Sequence, residues 1–352
     1  MMELSHPILE QARRHPALQP QDALKLCFQC AFGAEHQLSS IDNVRASLQH
    51  EFSLVDQTDE PLFEPIGNGM LRVHLGAWKR LSLPIDWLLR LFYATAGETH
   101  PDAQSVFQGA CMAITSLAAN SLMPFSLAEW LNVLNEYPVD APVALHHSDR
   151  YRAEERPHYR IVSPTYRMVL EIFQRLPMEH APILIAIDGK AASGKSTLSE
   201  QLRSITDCSV LHMDDFFVPF PLRTEERMRE VGGNIDYERF CTEVLLHLAN
   251  PKPFSYRIYS CQSGSFVGRN RIDSSTLRVV EGSYAHHPKF REYAHLKVFL
   301  TVSEAEQANR LLARSPALFD RFKTTWIPME ERYFAGFAIP AKAQLILSTD
   351  PE

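Results

Sequence analysis

The feature that most constrains this chain is a loop rich in glycine and lysine that joins an apolar run to a helix-like segment. After ILIAI comes Asp188, then GKAASGKST from Gly189 to Thr197, and then the helix-like LSEQLRS. The spacing fits the pattern G-x-x-x-x-G-K-[ST] in the context that this pattern requires. Such glycines let successive N–H groups point inward, and the helix N-terminus adds partial positive charge. The loop is therefore predicted to bind phosphate groups.

All nine loop residues form the predicted nucleotide site: Gly189, Lys190, Ala191, Ala192, Ser193, Gly194, Lys195, Ser196 and Thr197. In loops of this kind the lysine, here Lys195, reaches the β- and γ-phosphates, and the hydroxyl that follows it, here Ser196, binds Mg²⁺. A phosphate loop alone does not distinguish a kinase from a GTPase, a motor or a nucleotide-gated switch.

Short apolar runs alternate with helix-length segments through the second half of the chain. The runs are Ile183–Ile187, Ser209–Met213, Leu277–Val280, Leu296–Leu300 and Gln344–Leu347. Continuous aliphatic strands between helices predict an α/β fold, with a parallel sheet covered by helices on both faces. Ligands of such sheets bind at the carboxyl ends of the strands.

An acidic pair follows the second of these runs, in the sequence HMDDFF. We expect this strand to lie beside the strand of the phosphate loop. A carboxylate there can accept a proton from an attacking hydroxyl group or hold Mg²⁺. Asp214 is the predicted catalytic base and Asp215 the alternative, while a solvated acidic turn is the non-functional interpretation.

Several motifs of this half resemble those of one kinase family. They are IAIDGKAASGKST, HMDDFF, GNIDYERF, YRIYS, RVVEGSY and KVFLTVSEAEQANRLLAR, between about residues 181 and 350. They are similar to segments of the uridine kinase and phosphoribulokinase family of P-loop kinases. The resemblance implies transfer of a phosphoryl group from ATP, bound with Mg²⁺, to a hydroxyl group of a small molecule.

The resemblance also implies roles for individual residues. Asp214 aligns with the catalytic base of the family, Asp236 with the aspartate that binds sugar hydroxyls, and Tyr259 with a residue beside the acceptor. Glu281 closes an apolar strand, where a carboxylate can order water bound to Mg²⁺. Two structural alternatives stay open, since Glu281 can cap the following turn and Asp236 can cap the helix that starts at Tyr237.

Basic residues near the C-terminus complete the predicted site. Arg310 and Arg314 lie four positions apart, so one helix face can present both to a transferring phosphate, and Arg321 can extend this lid. Any one such arginine is more often a solvated surface charge, and only the position of these three after the last strand of the switch point favours a role in phosphate binding. The adjacent His286 and His287 can line the acceptor pocket, although a surface turn is the expected place for at least one of them.

The chain departs from uridine kinases after YRIYS. The run Ser260-Cys261-Gln262-Ser263-Gly264 contains neither the aspartate nor the histidine of the family, and the lid between Arg314 and Trp326 is shortened. The predicted acceptor is therefore a nucleoside or another sugar-containing metabolite. The alternative function is a nucleotide-gated regulatory protein that phosphorylates little acceptor.

The first half of the chain differs from the second in residue pattern and in charge. Of the 352 residues, 1–145 are predicted to form a mainly helical domain of unknown role, 146–180 a linker and connecting helix, and 181–352 the kinase domain. Residues 1–150 contain 9 Lys+Arg and 17 Asp+Glu, while the remainder contains 26 and 25. This acidic half argues against a nucleic-acid partner. Substrate binding, self-association into a homo-oligomer and a second reaction all stay open for it.

Cysteine usage and hydropathy indicate a cytoplasmic protein with no membrane partner. The six cysteines are scattered, and no apolar run is long enough to span a bilayer. Cys27-x-x-Cys30 precedes Glu35 and His36, but without a second pair this spacing is more typical of buried thiols than of a metal site. On a helix, Glu35 and His36 would point about 100° apart.

Overall fold

The computed structural model describes residues 2–34 and 40–351, and the chain divides into two compact units, Met1–Leu170 and Glu171–Glu352. The first unit is mainly helical and the second is an α/β structure, so the predicted fold class is confirmed. Residues 146–170, which the sequence analysis assigns to a linker, fold as part of the first unit. Glu35 and His36 lie outside the described residues.

The first unit combines eight described helices with a small antiparallel sheet of order β1-β2-β3. The helices are α1 (Met2–Arg14), α2 (Pro20–Phe32), α3 (Ile41–Leu54), α4 (Leu75–Arg80), α5 (Ile85–Ala96), α6 (Ala103–Ala119), α7 (Leu127–Glu136) and α8 (Asp149–Glu155). The strands are β1 (Phe63–Gly67), β2 (Met70–His74) and β3 (Tyr159–Val162). A further helix, α9 (Arg167–Phe173), crosses the division between the units.

Local sequence explains the centre of this unit. Helix α2 begins with a capping box in which Gln19 and Asp22 satisfy each other's backbone N–H groups, and nearly all of its residues are buried. Cys27 and Cys30 are among them, and burial raises the pKa of both thiols. Strand β2 is buried along its whole length, including its polar residues Arg72 and His74.

In the second unit, the residues that the structure describes form eight α-helices and seven strands. The helices are α10 (Lys195–Thr206), α11 (Glu225–Arg229), α12 (Tyr237–Phe240), α13 (Leu246–Leu248), α14 (Glu304–Arg314), α15 (Phe319–Arg321), α16 (Ile327–Phe337) and α17 (Ile339–Lys342). The strands are β4 (Ile183–Gly189), β5 (Ser209–His212), β6 (Phe254–Ser260), β7 (Ser265–Ile272), β8 (Leu277–Glu281), β9 (Leu296–Thr301) and β10 (Leu345–Ser348).

Five of these strands form one parallel sheet of order β10-β9-β4-β8-β5, and β6 and β7 pair as a separate antiparallel hairpin. The five predicted strands agree with the observed ones to within two residues. One expectation is wrong: β5, which precedes Asp214, is not adjacent to β4, because β8 lies between them. The carboxyl ends of β4, β8 and β5 still share one edge of the sheet, since all three are parallel.

Burial accounts for the apolar character of the central strands. Every residue of β4 and β8 is buried, as are the first five of β9. Aromatic side chains extend the core beyond the sheet, among them Phe216, Phe240, Tyr256 and Tyr333. None of the helices in the described part of the chain is long and apolar enough to cross a membrane.

Arg278 on β8 provides a test of how this unit is held together. Its side chain is fully buried, and its guanidinium donates to the backbone carbonyls of Leu248, Asn250 and Lys252 at 2.8, 2.6 and 3.1 Å. Replacing Arg278 with Met leaves these carbonyls without a donor. We expect the free energy of unfolding to fall by about 2–4 kcal/mol, measured by urea denaturation.

The matched control is Arg271→Met on β7. Arg271 is 73% exposed and pairs with the exposed Asp273 at 2.8 Å, so the expected change is below about 0.5 kcal/mol. Equal losses in the two variants would contradict the structural role of Arg278.

Candidate active site

The phosphate loop leaves β4 in a backbone conformation that needs glycine. Gly189 has φ +147°, and a Cβ placed there would lie 2.2 Å from the carbonyl oxygen of Leu300 on β9. Gly194 has φ +85° and ends the loop immediately before α10. The first turn of α10 therefore follows the loop directly, so its free N–H groups and positive dipole end are available to an anion.

A buried carboxylate fixes the start of the loop. Asp188 is fully buried, and its two oxygens accept hydrogen bonds from the backbone N–H groups of Gly189, Tyr284 and His286 at 2.7, 3.2 and 2.9 Å. The hydroxyl of Tyr333 on α16 donates a fourth bond of 2.8 Å. The end of β4, the segment after β8 and α16 are thereby held in one arrangement.

A second buried carboxylate holds the middle of the loop. Glu330 on α16 accepts a 2.9 Å bond from the N–H of Ala191 and a 2.6 Å bond from the hydroxyl of Ser283. The amide of Gln307 donates to the carbonyl of Ala191 at 2.9 Å. Burial raises the pKa of Glu330, while the positive charge of Lys195 opposes that shift.

The predicted phosphate and metal ligands lie together at this edge of the sheet. The ammonium of Lys195 donates to the carbonyls of Gly189 and Lys190, both at 2.8 Å. The hydroxyl of Ser196 lies 3.3 Å from each carboxylate oxygen of Glu281, the last residue of β8. The strand that separates β4 from β5 thus brings Glu281 directly beside the phosphate loop.

Glu281 also contacts a residue that the sequence analysis did not assign. Nδ1 of His212, at the end of β5, lies 2.5 Å from Oε1 of Glu281. The hydrogen bond to Glu281 raises the pKa of His212, and desolvation by burial opposes this shift. The contact with Glu281 therefore favours the protonated form of His212 beside the predicted metal ligand.

Asp214 and Asp215 follow His212 in a short 3₁₀ turn, Met213–Phe216, and have different surroundings. The carboxylate of Asp215 accepts a 2.9 Å bond from the hydroxyl of Tyr256. Among the described residues, no group donates a hydrogen bond to the carboxylate of Asp214, whose side chain is open to solvent. Although part of Asp214 is exposed, the surrounding protein desolvates its carboxylate; this desolvation and the charge of Glu281 raise its pKa, whereas Lys195 lowers it.

The predicted acceptor residues make other contacts in the structure. Asp236 caps α12 by accepting a 3.0 Å bond from the N–H of Arg239, whose guanidinium it also contacts at 3.3 Å. Its own N–H donates to the carbonyl of Phe216, which places Asp236 next to the Asp214 turn. Tyr259 is buried, and its hydroxyl accepts a 3.0 Å bond from the N–H of Phe220.

The three arginines of the predicted lid lie in different surroundings. Arg310 donates to the carbonyl of Ala192 at 3.2 Å and to the hydroxyl of Thr349 at 2.9 Å, so it supports the loop and the C-terminal segment. Arg314 is exposed, with its guanidinium 5.8 Å from the ring centre of Phe322. The exposed Arg321 lies over the ring of Trp326 at 4.9 Å.

Both histidines after Glu281 are buried, so neither occupies the surface turn that we expected for at least one of them. Nε2 of His286 lies 3.1 Å from the carbonyl oxygen of Ala186, and His287 stacks between Tyr237 and Tyr333. Burial lowers the pKa of both histidines. Both histidines therefore pack around the candidate site as structural residues.

No motif in the sequence assigns a role to Asp188, His212 or Glu330. Asp188 lies directly before the phosphate loop, and His212 lies two residues before Asp214. Their positions beside these motifs could have identified both as site residues. Glu330 carried no such signal, because it lies more than 130 residues after the loop and meets it only in the folded unit.

The oxygen ligands at the loop are suited to Mg²⁺. Within the described residues, no group of three or more His, Cys, Asp or Glu side chains could hold a metal ion. Mg²⁺ in nucleotide sites is bound by one or two protein oxygens together with phosphate oxygens and water. The hydroxyl of Ser196 and the carboxylate of Glu281 fit that pattern.

Comparison with protein-family models and with the curated proteins gives no match. Among solved structures, a protein from Bacillus stearothermophilus described as a possible uridine kinase is 18% identical, with 47% of this chain and 89% of that chain covered and a TM-score of 0.37. A provisionally assigned fructose transport system kinase from Silicibacter sp. TM1040 is 20% identical, with 52% and 98% covered and a TM-score of 0.43.

A shikimate kinase from Bacteroides thetaiotaomicron is 17% identical, with 47% of this chain and 85% of that chain covered and a TM-score of 0.25. These likenesses concern the fold of about half the chain. The chemistry of the site follows from this protein's own side chains.

Removing the carboxylate of Glu330 tests its support of the loop. Glu330→Ala leaves the N–H of Ala191 without its acceptor and loosens the backbone that meets phosphate. We expect the affinity for ATP, measured by isothermal titration calorimetry, to fall about tenfold, the effect of one hydrogen bond to a charged group.

The control is Glu331→Ala, one residue further along α16. Glu331 is 51% exposed and lies 3.8 Å from the ammonium of Lys190, a surface pair of small energetic value. Its loss should change the affinity less than about twofold. A loss for Glu331→Ala as large as for Glu330→Ala would contradict the special role of Glu330.

Proposed function

We propose that the second unit is an ATP-dependent kinase that transfers the γ-phosphoryl group to a hydroxyl group of a small molecule. The acceptor is a nucleoside or another sugar-containing metabolite. One observation carries this proposal: a phosphate loop with its lysine and serine, and a carboxylate without a hydrogen-bond donor, occur at the same edge of one parallel sheet. Ligands bind at this edge in open α/β sheets.

The loop supplies the binding of ATP. Its backbone N–H groups, the start of α10 and the ammonium of Lys195 offer positive charge to the phosphates. Ser196 and Glu281 are the residues that would hold Mg²⁺, which neutralises charge on the phosphates when it is bound. Catalysis by such a site consists mainly of positioning and charge stabilisation.

Asp214 is the proposed base for the acceptor hydroxyl. Its neighbour Asp215 is engaged by Tyr256, whereas the Asp214 carboxylate is open to solvent and free to accept a proton. The raised pKa of Asp214 makes it a stronger proton acceptor than an ordinary aspartate. His212 is paired with Glu281, and when protonated it adds positive charge near the place where the phosphates would lie.

Acceptor identity is the direct test of this proposal. The protein is incubated with Mg-ATP and a metabolite extract, and mass spectrometry is used to find species that gain one phosphate group. A kinase produces ADP much faster in the presence of its acceptor. ATP that is bound or slowly hydrolysed at one rate, whatever metabolite is added, would instead favour the nucleotide-gated regulatory protein.

Replacing Asp214 with Asn tests its role as base. We expect phosphoryl transfer to fall about 10²- to 10⁴-fold, with the affinity for ATP nearly unchanged, because the amide cannot accept the proton. Single-turnover transfer and ATP titration measure the two quantities separately.

Asp215→Asn is the matched comparison, since it removes the same charge one residue away. We expect a loss of transfer below about tenfold, because the carboxylate of Asp215 is held by Tyr256. Transfer that survives Asp214→Asn unchanged would remove Asp214 from the base role.

A further inference from the structure

A small cavity in the first unit has a lining that contrasts with the acidic sequence around it. It measures about 280 Å³. Six of its lining residues have basic side chains, and the remaining one is a proline; the six are Lys25, His146, His147, Arg152, Arg156 and His158. No carboxylate lines the cavity, although residues 1–150 carry a net charge of −8.

Three of the basic groups are oriented by carboxylates that lie outside the lining. These pairs are His147 with Asp22 at 2.9 Å, His158 with Glu51 at 2.9 Å, and Arg152 with Asp149 at 2.5 Å. The other ring nitrogen of His147 lies 2.6 Å from the hydroxyl of Tyr159. His147 is thus fixed from both sides, so its ring stays at the wall of the cavity.

The other three basic groups have no acidic partner within ion-pair distance among the described residues. Lys25 is 9% exposed, and its ammonium donates only to the carbonyl of Leu145, at 2.6 Å. Burial and the nearby charge of Arg72 lower the pKa of Lys25 to about 8, although Asp22 opposes the shift. Arg156 and His146 make no ion pair with a described carboxylate.

Such an arrangement has a cost that an anion would remove. Cations brought together in a partly enclosed space repel one another, and a buried ammonium loses hydration. A bound phosphate group reduces the repulsion between the cations and replaces the lost hydration, because its oxygens accept charge-assisted hydrogen bonds from lysine, arginine and histidine donors. Two formal positive charges, those of Lys25 and Arg156, have no paired carboxylate among the described residues, and a phosphate group carries nearly two negative charges.

We propose that this cavity binds a small phosphate monoester. A volume of about 280 Å³ accommodates a phosphate group with a body of a few carbon atoms and is near the lower limit of small-molecule sites. The binding site lies wholly within the first unit, and the proposal does not depend on the kinase activity of the second.

The test uses the full chain with Lys195→Ala, so that phosphate binding at the loop is weakened. Glycerol 3-phosphate is titrated by calorimetry, with inorganic phosphate and acetate as separate probes. We expect glycerol 3-phosphate to bind with a Kd of about 1 mM or tighter, and acetate to bind at least tenfold more weakly.

Single substitutions then locate the site. Arg156→Gln and Lys25→Met should each weaken glycerol 3-phosphate at least tenfold, whereas Arg13→Gln, which removes a 64% exposed charge paired with Glu10, should leave it unchanged. Circular dichroism is used to check whether each variant is folded. Where a variant does not fold, the ring signals of His146 and His147 in the NMR spectrum of the Lys195→Ala protein report on the site, and they should shift on titration.

Four results would overturn the proposal. They are absence of binding at about 10 mM glycerol 3-phosphate, binding that only inorganic phosphate shows, binding that disappears with Lys195→Ala, and equal losses in the Arg13 and Arg156 variants. Histidine signals that do not move would do the same.

Discussion

The hydrogen bonds to the buried carboxylate of Asp188 are the interaction on which the arrangement of the second unit depends. A fully buried charge is costly unless its oxygens are satisfied, and here four donors from three parts of the unit satisfy them. Its position at the end of the central strand means that the same bonds set where the phosphate loop begins. Glu330 binds the N–H of Ala191 in the same way, so two buried carboxylates fix the backbone of the loop that is proposed to bind phosphate.

The charges at the open edge of the sheet follow from the strand order. Because β8 lies between β4 and β5, Glu281 reaches Ser196 on one side and His212 on the other. Asp214 lies just beyond His212 and carries a raised pKa, caused by desolvation and by Glu281. The residues proposed to bind phosphate, those proposed to hold the metal and the proposed base therefore come from three adjacent strand ends.

The strands of the sheet and the phosphate loop could be predicted, because short stretches of sequence determine them. Buried parallel strands are apolar throughout, and the phosphate loop needs glycines at fixed positions, so both leave clear patterns. The position of β8 and the contact of Glu330 with Ala191 could not be predicted, because they join residues far apart in the sequence. The sequence could not decide the role of Asp236, because its motif is compatible both with binding an acceptor and with capping a helix. The structure shows the helix cap.

The most direct measurement is a crystal structure of the protein with Mg²⁺ and a non-hydrolysable ATP analogue. We expect the terminal phosphate against the loop amides and Lys195, and the metal beside Ser196 and Glu281. We expect the Asp214 carboxylate to face the phosphate across a space that fits one hydroxyl-bearing molecule. A nucleotide bound elsewhere, or an Asp214 carboxylate turned away from the terminal phosphate, would contradict it.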